Sequence, residues 1–452
     1  MKKILMMMAL LGTLLPASAQ KIYTLHECRR MALENNNKMK DSRLVIEQAK
    51  EQEREAFSKY LPQVSAGGAY FHSNDGLVKK DFSLSADEQQ QMAGVMTQLG
   101  LDPTVLASLP STYSVNMLKH GTIAQLVALE PIYAGGQITT ANKLAKLQTE
   151  VRRLQMRQSQ DEIVNTTETY YNQLLTLYEK RITLDAADRQ LVRIHQDAEN
   201  AYQGGVANKN DMLSVELKQN EIAANRLKLE NGIKLCKMVL AQYIGVNGTD
   251  IQIDTTLASR LPDPKTYLVD HQAALDNRTE AQLLDKNVEA NHLQTRLKKG
   301  ELLPTVAVGA AGVYQDLSGD GRANVLGMVT VSVPISSLWS NNHAVRRQRI
   351  AEQMARQDRD DNRQLLLIQM QSAYNDLDNA YKQIVLARKS MEKSAENLRL
   401  NEDYYHAGTS TMSDLLDAQT RNQQSRDQYA EAVCLYLNSR TAYLIATGRE
   451  VE

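Results

Sequence analysis

The chain has 452 residues, 52 Lys and Arg against 53 Asp and Glu for a net charge of −1, and only three Phe and one Trp beside 17 Met and 19 Tyr. Near-neutral charge without a basic stripe gives no electrostatic footprint for nucleic acid. Few large aromatics with 23% charged residues suit long packed helices better than a compact globule.

Met1-Lys2-Lys3, the apolar run Ile4 to Leu15, and Pro16-Ala-Ser-Ala19 form a basic n-region, a short h-region and an A-x-A cleavage site, so residues 1–19 read as a signal peptide. The run is shorter than the ~20 residues that a spanning helix requires. The residue directly after the cleavage site is Gln20, not cysteine, and no later run reaches spanning length, which argues against a lipid anchor and against an α-helical membrane protein. Cys28, Cys236 and Cys434 each lie inside a helical pattern. They read as small buried or interfacial residues rather than a disulfide framework.

From Leu25 to Tyr60 there is no Gly or Pro, which predicts one helix of about ten turns, ended by Leu61-Pro62. Val64, Ala66, Gly68 and Tyr70 then alternate with more polar or smaller residues, a strand pattern. A polar, partly helical outer loop over 72–120 follows, and a second strand over 121–130 ends at Pro131. Residues 137–201 form a very long helix, at 1.5 Å per residue roughly 90–100 Å, then a turn at Gly204-Gly205 and a helix over 209–244. Residues 247–264, with Asn247-Gly248, Pro262 and Pro264, are a linker. The second half repeats the plan: a helix over about 265–301, strands over 306–314 and 325–333 joined by Asp316 to Gly321, a long helix over 341–404, a turn at Gly408 and a helix over 411–447.

The repetition is numerical. Tyr202-Gln-Gly-Gly205 with Asp211-Met-Leu213 returns 203 residues later as Tyr405-His-Ala-Gly408 with Asp414-Leu-Leu416, and Pro131-Ile132 as Pro334-Ile335. Upstream the offset is 242, carrying Ala32-Leu-Glu-Asn35 onto Ala274-Leu-Asp-Asn277 and Leu61-Pro62 onto Leu303-Pro304. The 39-residue difference between the two offsets is an insertion in the first half, inside the outer loop. The organisation is therefore a first repeat over 20–246, the linker, and a second repeat over 265–452. In the second long helix Tyr374, Leu377, Tyr381, Ile384, Arg388, Met391, Ala395 and Leu398 step +3 and +4, and in the first Leu177, Leu184, Ala187, Leu191 and Ile194 keep the same heptad spacing. Both are coiled-coil seams.

Four strands of about ten residues in an exported chain match the length of a tilted membrane strand. Four cannot close a barrel, and an open edge in hydrocarbon leaves backbone groups unpaired. Several copies must share one barrel; two, three or four would give eight, twelve or sixteen strands, and strand length does not choose among them. The eight histidines are scattered, with no His-x-x-x-His, Cys-x-x-Cys, phosphate loop or nucleophile elbow. The chain reads as no enzyme and as holding no cofactor or metal. An exported coiled-coil scaffold or adhesin is the alternative, and it leaves the Leu-Pro strand pairs unexplained.

Over essentially its mature length the chain resembles the TolC-like outer-membrane efflux protein family. The residues carrying this are Ala32 to Asn36, Tyr60-Leu-Pro-x-Val64, Leu303-Pro-x-Val306, Pro131-Ile-Tyr-x-Gly-Gly136 and Tyr405-x-x-Gly408 with Asp414-Leu-Leu-Asp-Ala-Gln419. The resemblance implies a homotrimer with a twelve-stranded barrel in the outer membrane, a periplasmic helical tunnel, and passive export for a periplasmic adaptor and an inner-membrane pump of RND or ABC type. It implies an entrance ring at Asp414 and Asp417, gate contacts by Asp211 and Tyr405, and adaptor docking at the hairpin tips through Gly204, Gly205 and Gly408. The family's gate arginine has no counterpart, because Ser410 stands four residues before Asp414. Ser214 stands where a first-hairpin match to Asp417 would be, which puts the ring on the second hairpin alone.

Overall fold

The structure is a computed structural model that describes residues 22–75, 77–104, 112–117, 119–205, 208–248, 251–255, 261–317, 319–335 and 337–451. The signal-peptide expectation at 1–19 lies outside the described residues, as do parts of the outer loop, the first hairpin tip and the linker. In chain order the elements are β1 (Ile22–Tyr23), α1 (Leu25–Asn35), α2 (Asn37–Ser58), β2 (Gln63–His72), β3 (Val78–Ser83), α3 (Ala86–Gln98), β4 (Thr112–Met117), β5 (His120–Ala134), α4 (Gln137–Gln203), α5 (Lys209–Ile244), β6 (Gln252–Ile253), α6 (His271–Ala274), α7 (Thr279–Gly300), β7 (Thr305–Asp316), β8 (Arg322–Ser332), α8 (Ser337–His406) and α9 (Met412–Ala446). Two compact units emerge, each drawn from both sequence halves: residues 51–145 with 292–351, and the remainder.

The strand unit is one antiparallel sheet in the order β2-β5-β7-β8. The two expected pairs are therefore joined, through β5 and β7. The second strand does not stop at Pro131. It runs on to Ala134, with a bulge between Pro131 and Tyr133, a position where a residue lacking an N–H is tolerated. The outer loop is built rather than loose: β3 and β4 pair antiparallel, and α3 is closed by a capping box between Ser85 and Glu88. Gly135, at φ 59°, leaves β5 in a turn where an added Cβ would lie 2.3 Å from the Gly300 carbonyl, so this close approach admits only glycine.

The helical unit corrects the expected unbroken opening helices. The first breaks at Asn36, which takes an extended conformation at ψ 135°, and the second at Arg278, ψ 132°, 242 residues later. Both breaks meet a helix end. Asn35 and Asn36 donate their side-chain amides to the carbonyls of Ile244 and Tyr243 at 3.2 Å each, satisfying acceptors that the end of α5 leaves without partners. A left-handed glycine finishes that end, Gly245. Gly448, just beyond α9, is left-handed too and packs on the Asn277 carbonyl. The linker also proves ordered where described: β6 pairs parallel with β1, and Ile251 and Ile253 are buried.

Of the seam residues, Leu377, Ile384 and Leu398 are buried, as are Leu184, Ala187, Leu191 and Ile194. Arg388 and Ala395 are exposed; Arg388 instead lays its guanidinium against Tyr429 and donates to its hydroxyl at 3.3 Å. All three cysteines are free, Cys28 and Cys236 buried and Cys434 half-buried.

Asp427 of α9 is half-buried, and its Oδ1 lacks a hydrogen-bond partner. Burial pushes its carboxyl up to about 6, against the opposing pull of Lys180. The folded state thus holds this proton more tightly than the unfolded one, so its charge destabilises the fold above about pH 6, and this penalty is relieved as pH falls from there towards the ordinary carboxylate range. Asp427→Asn is expected to melt higher than wild type at pH 7.5, the gain shrinking towards zero near pH 4. Thermal melts across pH check this, and a constant gain would assign the effect to packing.

Candidate functional site: the hairpin tips and the two faces of the sheet

The two helical hairpins share one core near their tips. Leu184, Leu191, Ile194 and Ala198 of α4 and Val215 and Ile222 of α5 pack with Leu398 of α8 and Met412, Leu415 and Ala418 of α9. Gln190 donates to the Glu402 carboxylate across them, and Arg226 ties α5 to α4 by bonds of 2.9 and 3.0 Å to Asp185 and Asp188.

Both tips turn through left-handed glycines, Gly205 at φ 78° and Gly408 at φ 70°; Gly204 precedes without that conformation. A left-handed residue after a helix C-terminus favours glycine because no Cβ collides with the carbonyl. The second tip closes in a capping box. Thr411 and Asp414 exchange hydrogen bonds, Asp414 Oδ2 accepting from the Thr411 amide at 3.1 Å and from its hydroxyl at 2.6 Å. These bonds to the Thr411 hydroxyl and amide hold the Asp414 carboxyl below the usual range. In one chain it is therefore a stabilised, ionised helix cap. Asp417, one turn on, is exposed beside it.

Tyr405 packs partly against the hairpin core and lines a cavity of about 210 Å³ with Gln190, Arg193, Asp197, Glu402 and His406. Burial pushes its hydroxyl up, and the charges of Asp211 and Asp197 add to that shift. The Asp211 amide is itself capped by the Asn208 side chain at 3.1 Å. Arg193, Asp197 and Glu402 escape a sequence reading, because they come from long helices far from the tip motifs. Their only signal is acidic or basic character next to the seam.

The sheet register sorts its side chains into two faces. Val64, Ala66, Gly68 and Tyr70 of β2 lie level with Ala128, Leu126, Ala124 and Thr122 of β5. The same face continues through Val306, Val308, Ala310, Gly312 and Tyr314 of β7 and Val331, Val329, Gly327, Val325 and Ala323 of β8. Charge on this face stands only towards the rims, Glu130 opposite Val308 at one and Asp316 opposite Thr122 at the other. The other face holds Gln63, Ser65, Gln125, Gln315, Arg322, Asn324, Thr330 and Ser332 among apolar neighbours. The bulge at Ile132 flips the alternation, so Tyr133 pairs with Val306 on the apolar face. Aromatic rings thus stand on that face at both ends, Tyr70 and Tyr314 at one and Tyr133 at the other. No helix among the described residues is long and apolar enough to cross a membrane.

Residues 271–449 match the family model described as outer membrane efflux protein. The fold is similar to that of the outer-membrane channel OprN, with TM-score 0.73, 14% identity, and 94% of this chain and 90% of that one covered. It is similar to the outer membrane protein VceC from Vibrio cholerae at TM-score 0.70 and 15% identity over 95% of this chain and 97% of that one. It also resembles the Campylobacter jejuni CmeC outer membrane channel at TM-score 0.71 and 13% identity over 94% and 85%. Residues 271–449 thus carry an outer membrane efflux protein domain, and the fold of nearly the whole chain is similar to that of outer-membrane channels.

Proposed function

We propose that three copies of the chain form a passive exit duct in the outer membrane, their sheets closing into a twelve-stranded barrel and their long helices forming a periplasmic tunnel. The observation that carries this reading is the sheet with one nearly uncharged face, aromatic rings at both ends of that face, and two open edges, β2 and β8. In water such a face and such edges invite aggregation; in a lipid-embedded ring both are satisfied. A periplasmic adaptor and an inner-membrane pump of RND or ABC type supply cargo and energy, the adaptor docking at the tips around Gly204, Gly205 and Gly408. The two sequence repeats, 20–246 and 265–452, form the duct as duplicated halves. The mature chain carries no catalytic, cofactor or metal site in this reading.

Asp414 and Asp417 ring the entrance, six carboxylates in three copies, and Asp211 with Tyr405 forms the gate contact. Such a ring attracts cations and raises carboxyl groups by mutual repulsion, opposing the lowering that Thr411 exerts on Asp414 in one chain. The purified chain in planar bilayers is expected to open cation-selective channels. Asp414→Asn with Asp417→Asn should move the reversal potential in a salt gradient towards zero and weaken block by multivalent cations. Lack of conductance by the wild type would sink the duct; conductance with unchanged selectivity in the variant would sink the ring alone.

A further inference from the structure

Strands β2 and β5 hold two histidines opposite each other where the outer loop leaves the sheet. His72 ends β2, His120 begins β5, and the ladder pairs them directly. One step further out the Ser73 amide donates to the Lys119 carbonyl at 2.7 Å, which makes Ser73 and Lys119 a hydrogen-bonded pair. Such pairs alternate with non-hydrogen-bonded ones along an antiparallel ladder, so His72 and His120 form a pair of the second kind, in which side chains stand closer. Both are exposed.

The pair lies on the same face of the sheet as Tyr70 and Thr122, two residues further out on each strand. At ~3.4 Å per residue this is ~7 Å beyond the aromatic rim. The other six histidines all lie on helices. Asp316, opposite Thr122 on that face, already has Oδ1 engaged by the Gly319 amide at 2.8 Å. Among the described residues no three His, Cys, Asp or Glu side chains gather to hold a metal, so His72 and His120 stand as two ligands with positions left for water. Short-range motifs such as His-x-x-x-His miss this pair, because its members are 48 residues apart in sequence and meet only through strand register.

We propose that His72 and His120 bind one divalent transition cation of the zinc class and so clamp the two ends of the outer loop. Imidazole suits Zn²⁺, Cu²⁺ and Ni²⁺ rather than the hard cations Mg²⁺ and Ca²⁺. Two nitrogens on a tetrahedral zinc at ~2.0–2.1 Å stand about 3.3 Å apart. A non-hydrogen-bonded pair, with Cα atoms ~4.5 Å apart, brings two imidazoles to that spacing by side-chain rotation alone. The clamp has a structural reason. His72 and His120 are the first and last residues of the loop that carries the 39-residue insertion, whereas the short link from Asp316 to Gly321 in the second half holds no histidine. Closing a long loop costs more entropy than closing a short one, and a ligand that binds only the paired ends stabilises their pairing. The site goes beyond the duct reading, which uses no metal, and it needs a single chain.

The test is zinc titration of the untagged full-length chain in detergent at pH 7.5 by equilibrium dialysis, beside His72→Asn, His120→Asn and, as control, His292→Asn. The expected result is one saturable Zn²⁺ per chain, with affinity unchanged in the control and weakened in each of the other two by at least about tenfold, the lower end of what even an outer-shell partner is worth. Equal affinity in all four proteins, or loss in only one of the His72 and His120 variants, overturns the paired site. Electron paramagnetic resonance of the wild type with one equivalent of Cu²⁺ reads the site without any substitution: coupling to two imidazole nitrogens supports it, and coupling to one or none overturns it. The clamp has its own reading. Zinc should slow tryptic cleavage after Lys80 in the wild type and not in the two variants. Binding without that protection overturns the clamp and leaves the metal site standing. Since none of these readings requires a channel, failure of the site and failure of the duct are separate results.

Discussion

Placing arginine at Val325 is expected to remove most of the chain from the outer membrane, while arginine at the residue before it, Asn324, leaves assembly nearly intact. Val325 lies opposite Gly312, 85% exposed, in the middle of the face that carries no charge between its rims. Asn324 lies opposite Val313 on the face shared with Gln125, Thr330 and Ser332. An arginine facing lipid at the midplane of a barrel costs about 2–4 kcal/mol, incurred three times in a trimer. An arginine facing a water-filled lumen stays hydrated. The measurement is the amount of each variant in the outer-membrane fraction and the share keeping trimer mobility in unheated gels. Equal loss in both would show that the alternation does not separate lipid from lumen, and loss in Asn324→Arg alone would invert the two faces.

That contrast depends on a feature no periodicity displays. The alternation of Val64, Ala66, Gly68 and Tyr70 is legible from sequence because one face of a strand demands similar residues. The flip at Ile132 is not, because a bulge is set by how β5 registers against β7, a partner some 180 residues away. Helix lengths were legible for a related reason: the long seams keep their spacing over many turns, and α4, α5, α8 and α9 fall within a few residues of expectation. The breaks at Asn36 and Arg278 were not, since each follows from docking on a distant helix end. Nothing in Asn35-Asn36 states that their amides will serve Ile244 and Tyr243. The same division holds at the tips. Gly205, Gly408 and the Thr411-x-x-Asp414 box are local and readable, whereas the surroundings of Tyr405 come from Gln190, Arg193 and Asp197 on another hairpin.

Among stability variants, the largest loss is expected where Arg29 of α1 meets Glu168 of α4. Their side chains are 8% and 1% exposed. Arg29 also donates to the Val451 carbonyl at 3.3 Å, and Thr441 of α9 donates to the second Glu168 oxygen. The network joins three helices and the C-terminal segment. Burial lowers the Arg29 guanidinium from its ordinary value, opposed by the charge of Glu168. Removing one member strands the other charge in a dry interior, a loss of about 3–5 kcal/mol. Arg29→Met alone should therefore lower the midpoint of urea unfolding in detergent, followed by circular dichroism, more than Arg29→Met combined with Glu168→Leu. In the double variant no charge is left uncompensated, and apolar atoms fill much of the volume. The ordering of the two variants is the decisive reading, because a loss of packing alone would make the double variant the weaker. If instead the single variant melts like wild type, water or a shifted Arg440 has taken up the Glu168 charge, and the pair fixes the position of α1 without supporting the fold.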